Sequence, residues 1–589
     1  MTNLSPSLTT SSAFVPVDLD ASRWEAIEPL LKSLGSREVR STSDLERWLV
    51  DRGELEAACS EARANLYIAM TCDTDNPAAQ RAYANYIESV PPRLAPALFE
   101  LDKRQVELER QHGLHADRYG VLMRGTRAEV DLFRPENVPL DTQLSLLSQR
   151  YDQIVGAMTV QFEGREQTLP QMAKYQEQTS RFTREAAWRA VARRRVQDAD
   201  AIDAIYDEMI RLRHTVATNA GFENYVGYAF KAKHRFDYGV KECEEFHRGV
   251  EEVVVPLVRA LDAKRAKALG VDPLRPWDLA VDVKGRAPLR PFNGGRELMT
   301  KAVATFERLD PRLAKMLSTL GTGDEQSGGK HGECLDLDTR KGKAPGGYQY
   351  MRDRSRKPFI FMNAAGLAGD VDTMLHEAGH AFHSMLCVDE PLLAYRSSPI
   401  EFAEVASMTM ELLSLPHLGK PANGEGFYAS EEDLARARRK QLQGSVMLLP
   451  WIATIDAFQH WVYSNPKHTR EERTAAWLSL DDRFGRGVSW VGIEHKRAKV
   501  WHRQGHLFGS PFYYIEYGIA QLGALGLWLM SKEQGEKAAV EAYLRGLRLG
   551  GSKPLPELFA AAGLQFEFGP GAIRRIVDRV QAELETLPE

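Results

Sequence analysis

Met374-Leu375-His376-Glu377-Ala378-Gly379-His380-Ala381-Phe382-His383 is the stretch on which the reading of this chain turns. Wound as a helix, it places His376 and His380 four residues apart, on one face and one above the other. Two imidazoles so placed can share one zinc ion. Glu377, on the adjacent face, can take a proton from a zinc-bound water. The flanks predict that helix: Val371, Leu375, Ala378, Phe382 and Met385 recur as an apolar stripe, and Gly369-Asp370 reads as a break and an N-cap. A chance pair of histidines on an amphipathic helix is the competing explanation, and these flanks weigh against it.

A catalytic zinc takes three protein ligands and keeps one position open. His383 lies on the same rod as His376 and His380, and the ends of that row are about 10 Å apart at the helical rise. Three ligands in a line make poor corners of a tetrahedron, so the third is sought on the next helix. There Ser398-Pro399-Ile400-Glu401 reads as a capping box, which gives Glu401 a structural role. Glu404 has no such role. It lies within the apolar run of Phe402, Ala403, Val405 and Ala406, where a carboxylate needs a cation. His376, His380 and Glu404 are therefore the expected ligands of one zinc ion per chain. Asp372, four residues before His376, and Glu411, seven after Glu404, are candidates to orient a ligand histidine, and His383 is a further neighbour.

The rest of the chain bounds the class. Its 589 residues are 43% hydrophobic and 27% charged, ordinary for a soluble globular protein, and a formal charge of -5 gives no reason to expect nucleic acid. Five scattered cysteines without metal-type pairing argue for a reducing compartment. The polar start, Met1 to Ser12, has no secretory pattern, and the longest apolar run, Ile519 to Met530, is too short to span a bilayer. A cytoplasmic location, with no membrane partner, follows as an expectation.

Periodicity makes the chain mainly α. Successive amphipathic helices are expected from Ala21 to Arg110 and from Leu140 to Gln161, and one long helix from Thr183 to Ala217. An N-terminal helical domain, residues 1–195, would precede a catalytic domain, 196–589. Gly321 to Gly332 reads as an exposed loop. The single convincing β signal is Cys334 to Asp338, Gly346 to Tyr350 and Pro358 to Met362, a small sheet just before the zinc helix. Far downstream, Gly509 breaks the chain, Ser510 caps and Pro511 starts a helix on which Tyr513 and Tyr517 share a face. Aromatic core packing is the plain alternative for those tyrosines.

Taken together, His-Glu-x-Gly-His-x-x-His at 376–383, Phe402-Ala403-Glu404-Val405-Ala406-Ser407 and the aromatic segment near residue 512 resemble the zinc oligopeptidases. That family includes thimet oligopeptidase and, more closely, oligoendopeptidase F. The resemblance covers roughly residues 180 to 580. It implies a two-lobed helical zincin-type metallopeptidase fold enclosing a deep channel. By the same resemblance Glu404 is the third ligand and Glu377 the general base. His506 and Tyr517 match the residues that bind substrate and steady the tetrahedral intermediate, and Tyr513 matches a substrate contact. Many relatives carry a further tyrosine where this chain has Ile515. A substrate-binding strand beside the zinc helix is also implied, with Gly346 and Gly347 allowing close backbone approach.

The expectation is a zinc-dependent oligoendopeptidase that cuts internal bonds of short, unstructured peptides. A dipeptidyl carboxypeptidase on the same scaffold is the nearest rival, and it would need a cation to grip the substrate's C-terminal carboxylate. A non-catalytic peptide-binding protein is the rival from another class. The intact Glu377 weighs against it, since binding alone needs no general base.

Overall fold

In the computed structural model, residues 14–324, 333–340, 342–344 and 346–588 are described. The polar start and most of the Gly321–Gly332 segment lie outside them. The described chain is mainly helical. Helices Trp24–Ser36, Thr42–Cys72, Pro77–Ser89, Pro91–His112 and Ala116–Leu132 form the N-terminal part. Pro91-Pro92 opens its helix, where a proline removes only an N–H that would be unpaired in the first turn. Leu45, Trp48, Tyr119 and Met123 join a core of their own, which also takes Leu392 and Tyr395 from beyond the zinc helix. Most buried apolar residues from Tyr151 onward form a second, larger core.

Three expectations about elements need correction. Thr183 to Ala217 is two helices, Arg181–Gln197 and Ala199–Asn219, divided at Asp198. Asp198 leaves helical geometry at φ of -99° and ψ of 9°, and its carboxylate pairs with Arg194 without capping the following helix. A two-stranded antiparallel hairpin, β1 (Thr159–Phe162) and β2 (Arg165–Thr168), was not expected. Its turn uses Glu163 and Gly164 at φ of 51° and 74°, and its strands are too short and polar to alternate visibly. The helix expected from Pro511 begins at Tyr514, because Phe512 adopts φ of 61° and cannot be helical.

The expected small sheet is present. β3 (Leu335–Asp338) runs parallel to β5 (Lys357–Ala364), and β4 (Tyr348–Arg352) pairs antiparallel with β5, so β5 is central. Tyr348 stands opposite Phe361 and Tyr350 opposite Phe359. Phe359 to Met362 are buried on both faces, as a covered central strand requires.

The sheet delivers the chain into the helix Ala368–Leu386, the expected zinc helix. Its N-cap is Leu367, two residues before the expected break. Asp370 sits at the third helical position and accepts the backbone N–H of Leu367 at 2.9 Å and of Ala365 at 2.8 Å. Val371, Leu375, Ala378 and Phe382 are fully buried, as their spacing required. The helix Ile400–Leu413 crosses it and is covered in turn by Tyr514–Gln534. Glycines set both approaches. A Cβ on Gly379 would stand 2.6 Å from Ser407 Cα, and one on Gly523 would stand 2.6 Å from Val405 Cγ2. Among the described residues no helix is long and apolar enough to cross a membrane.

Candidate active site

His376 and His380 leave their helix on one face, ring centroids 4.9 Å apart. The crossing helix brings Glu404 to them: Glu404 Oε2 lies 3.4 Å from His376 Nε2 and 3.7 Å from His380 Nε2. All three donor atoms lie within 4.8 Å of one another. Donors sharing a tetrahedral zinc at about 2.1 Å stand roughly 3.4 Å apart, so two imidazoles and a carboxylate at this spacing fit that ion. Despite the burial that penalises its charge, Glu404 is held down to about 2, chiefly by its bond with His376 and the nearby His380. Ser407 Oγ, one turn on, donates to Glu404 Oε2 at 3.0 Å.

His376 Nδ1 pairs with Glu411 Oε1 at 2.7 Å, and Gln441 Nε2 donates to the other Glu411 oxygen. Of the two orienting candidates, the structure gives this contact to Glu411 and not to Asp372. Seven residues beyond Glu404, Glu411 returns to the face that looks at the zinc helix. Burial, with Glu411 nearby, pushes Asp372 up to about 7. His383 is buried, and burial with His380 lowers it to about 4; it is not part of the three-donor group.

Glu401 is also reassigned. The N-cap of its helix is Pro399, which has no side-chain cap, and Ser398 Oγ is buried without a partner. Glu401 instead accepts the Tyr238 hydroxyl at 2.6 Å, with Arg235 Nε 4.0 Å away. Tertiary partners override the capping pattern here.

Glu377 is buried, and its Oε2 has no hydrogen-bond partner. Burial is the main cause that raises it to about 7; His376 opposes the shift, while Glu404 and Glu411 add to it. A buried carboxylate of that kind is ready to hold or release a proton near neutrality. Gly347, at the start of edge strand β4, lies against it: a Cβ there would be 3.9 Å from Glu377 Oε1 and 3.4 Å from Thr373 Cγ2. Gly346 takes φ of 99°, and Asn363 Nδ2 donates to its carbonyl at 2.8 Å.

The downstream aromatic segment reaches the same place. His506 stacks on Tyr513 at 5.6 Å and meets Tyr517 edge-on at 6.0 Å, while Tyr513 and Tyr517 are 5.2 Å apart. Burial and then the Glu404 carboxylate push the Tyr517 hydroxyl up to about 12. Tyr513 is also raised, by burial and by Tyr517 and Glu404. Both hydroxyls therefore stay protonated and able to donate. Gln504 Nε2 bonds His506 Nδ1 at 2.7 Å, and Trp451 Nε1 donates to Gln504 Oε1 at 2.9 Å. His502, by contrast, is buried beside Asp203 at 3.2 Å, in the core.

Sequence reasoning missed Gly379, Ser407, Gln441, Gln504 and the turn at Phe512. Gly379 alone carried a signal, a glycine inside a confident helix, which marks a close approach.

Two histidines and a glutamate from crossing helices, with a second glutamate beside them, form a group that could hold a metal ion in a mainly helical fold. The sequence profile described as Peptidase family M3 matches residues 174–576, and the chain belongs to that family. Oligopeptidase PepF of Bacillus subtilis (strain 168) is 23% identical over 415 residues, covering 66% of this chain and 57% of that protein. Oligoendopeptidase F, chromosomal, of Lactococcus lactis subsp. cremoris is 33% identical over 239 residues, 40% of this chain and 38% of that protein. The chain thus spans little more than half the length of the first of these relatives. A solved structure of PZ peptidase A with inhibitor 2 superposes with a TM-score of 0.84 at 26% identity, covering 97% of this chain and 99% of that one.

Proposed function

We propose that the chain is a zinc-dependent oligoendopeptidase acting on short, unstructured peptides. One observation carries the reading: the convergence of His376, His380 and Glu404 next to a buried Glu377 whose Oε2 is unpartnered. Zinc, when bound, polarises the scissile carbonyl and acidifies water. His376 and His380 offer Nε2 and Glu404 offers Oε2, and Glu411 holds the His376 ring in orientation through Nδ1.

Glu377 takes the proton of the attacking water at Oε2 and passes it to the leaving nitrogen. Tyr517 and His506 donate hydrogen bonds to the oxyanion of the tetrahedral intermediate. Tyr513 supports the same wall. Edge strand β4 pairs with the substrate main chain, with Gly346 and Gly347 leaving room for it, so recognition depends little on side-chain identity. Enclosure of this centre in a channel between two lobes would admit an extended peptide and exclude a folded domain. The buried Glu377 favours this reading over a non-catalytic binder, since binding alone needs no general base.

The test is mass spectrometry of products from a mixed peptide library, with termini free or blocked, with and without a chelator. Chelator-sensitive cleavage at internal bonds of blocked peptides is expected. Cuts confined to two residues from a free C-terminus would instead make the chain a dipeptidyl carboxypeptidase.

A further inference from the structure

A second group of convergent donors lies outside the site described above. Cys243 and His247 are four residues apart on helix Val240–Gly249, and Asp456 and His460 are four apart on the long helix Glu431–Ser464. Four-residue spacing puts each pair on one helix face, as it does for His376 and His380, and the two helices pack together. Cys243 Sγ, an Asp456 carboxylate oxygen and a His460 ring nitrogen all lie within 4.8 Å of one another. Among the described residues only one other such group exists, the His376, His380 and Glu404 set.

The contacts inside this group are those of donors facing a common point. His460 Nε2 is 3.4 Å from Asp456 Oδ2, the same separation as between His376 Nε2 and Glu404 Oε2. His460 Nε2 makes no hydrogen bond, and neither does Asp456 Oδ1. Asp456 is wholly inaccessible to solvent, so that bare oxygen has no water to turn to. Cys243 Sγ makes no hydrogen bond among the described residues. His247 Nε2, 2.9 Å from Asp456 Oδ2, fixes the carboxylate as Ser407 fixes Glu404.

Charge balance points the same way. One divalent ion with a thiolate and a carboxylate is neutral, which a buried site requires. Thiolate, imidazole and carboxylate together select zinc over the hard cations.

We infer that Cys243, Asp456 and His460 are three donors of a second zinc site, which clamps helix Val240–Gly249 to helix Glu431–Ser464. Its position gives it a task. The His460 ring packs edge-on against Phe512 at 5.2 Å, and Gln459 Oε1 accepts the Phe512 N–H at 2.6 Å. Phe512 holds the left-handed turn between His506 and Tyr517. The ion braces that turn from behind.

Metal content and cobalt spectroscopy of the full chain test the site without recourse to peptide hydrolysis. Two metal ions per wild-type chain are expected, with one remaining in Glu404→Ala and one in Cys243→Ser. In the cobalt-substituted wild type and in Glu404→Ala, a near-ultraviolet thiolate-to-cobalt charge-transfer band is expected. The His376, His380 and Glu404 set has no thiolate and cannot produce it. Should Cys243→Ser fail to fold, the wild-type and Glu404→Ala spectra still decide. One metal per wild-type chain that disappears in Glu404→Ala, or a cobalt protein without the band, overturns the assignment.

Discussion

Gly379 touches the backbone of the helix that carries Glu404: a Cβ at Gly379 would stand 2.5 Å from the Ala406 carbonyl oxygen. Real Cβ atoms do not approach that closely, so the glycine sets the spacing between the two histidines and their third partner. In Gly379→Ala the better helix propensity offers about 1 kcal/mol. Backbone overpacking costs typically 1–3 kcal/mol, and the helices must move apart to relieve it. The variant should melt lower than wild type and bind zinc about tenfold or more weakly, as measured by thermal unfolding and chelator competition. Unchanged zinc affinity would mean that the crossing distance does not govern the site.

Metal retention separates Glu404 from His383. Alanine at His376, His380 or Glu404 should remove catalytic zinc and activity together, whereas His383→Ala should keep both. Atomic emission on the purified variants, alongside peptide turnover, reads this directly. A Glu404→Ala protein that kept wild-type affinity at this site while His383→Ala lost it would reverse the assignment.

Glu377 belongs to chemistry and not to metal binding. Glu377→Gln preserves shape and removes the base, so zinc content should remain normal while kcat falls about a hundred- to ten-thousand-fold. A variant retaining a third of the wild-type kcat would remove Glu377 from the mechanism.

The Nδ1 contact of His376 distinguishes the two acids once considered for it. Glu411→Gln weakens an acceptor that touches the ring at 2.7 Å, and zinc affinity should fall by about ten- to a hundredfold. Asp372→Asn makes no such change and should bind zinc nearly as wild type does. Equal losses in chelator competition would contradict the geometry.

Acid sensitivity should trace in part to Asp203, which is buried against His502, Lys499 and Arg473. Burial works against its charge, but bonds from His502 and Lys499 hold it well below the usual range. A carboxylate whose folded pKa is depressed stabilises the fold fully above its unfolded value, about 3.9, and loses that contribution as pH falls through the folded value. Asp203→Asn should therefore cost about 1–3 kcal/mol at pH 7, because Lys499 loses its partner while Arg473 keeps Asp207. In urea unfolding, the gap from wild type should narrow as pH drops below about 4. A constant gap would show that Asp203 is not the acid-labile group.

What the sequence determined by itself was periodic and local. The zinc helix, the candidate donors His376 and His380, the helical character of most of the chain and the sheet before residue 368 all follow from spacing that any helix or strand must obey. Glu404 was legible because a lone carboxylate in an apolar run needs a cation wherever the helix lies. Tertiary structure decided what depends on neighbours remote in sequence. Glu401 pairs with Tyr238 and Arg235 and not with its own helix end; Glu411 takes the His376 contact open to Asp372. The helix expected at Pro511 starts late because Gln459 and Arg235 grip the backbone of Phe512 in a left-handed turn. The same holds for Cys243 and Asp456, more than two hundred residues apart. Each i, i+4 pair can be read along its own helix, but only the packing of the two helices brings their donors to one point.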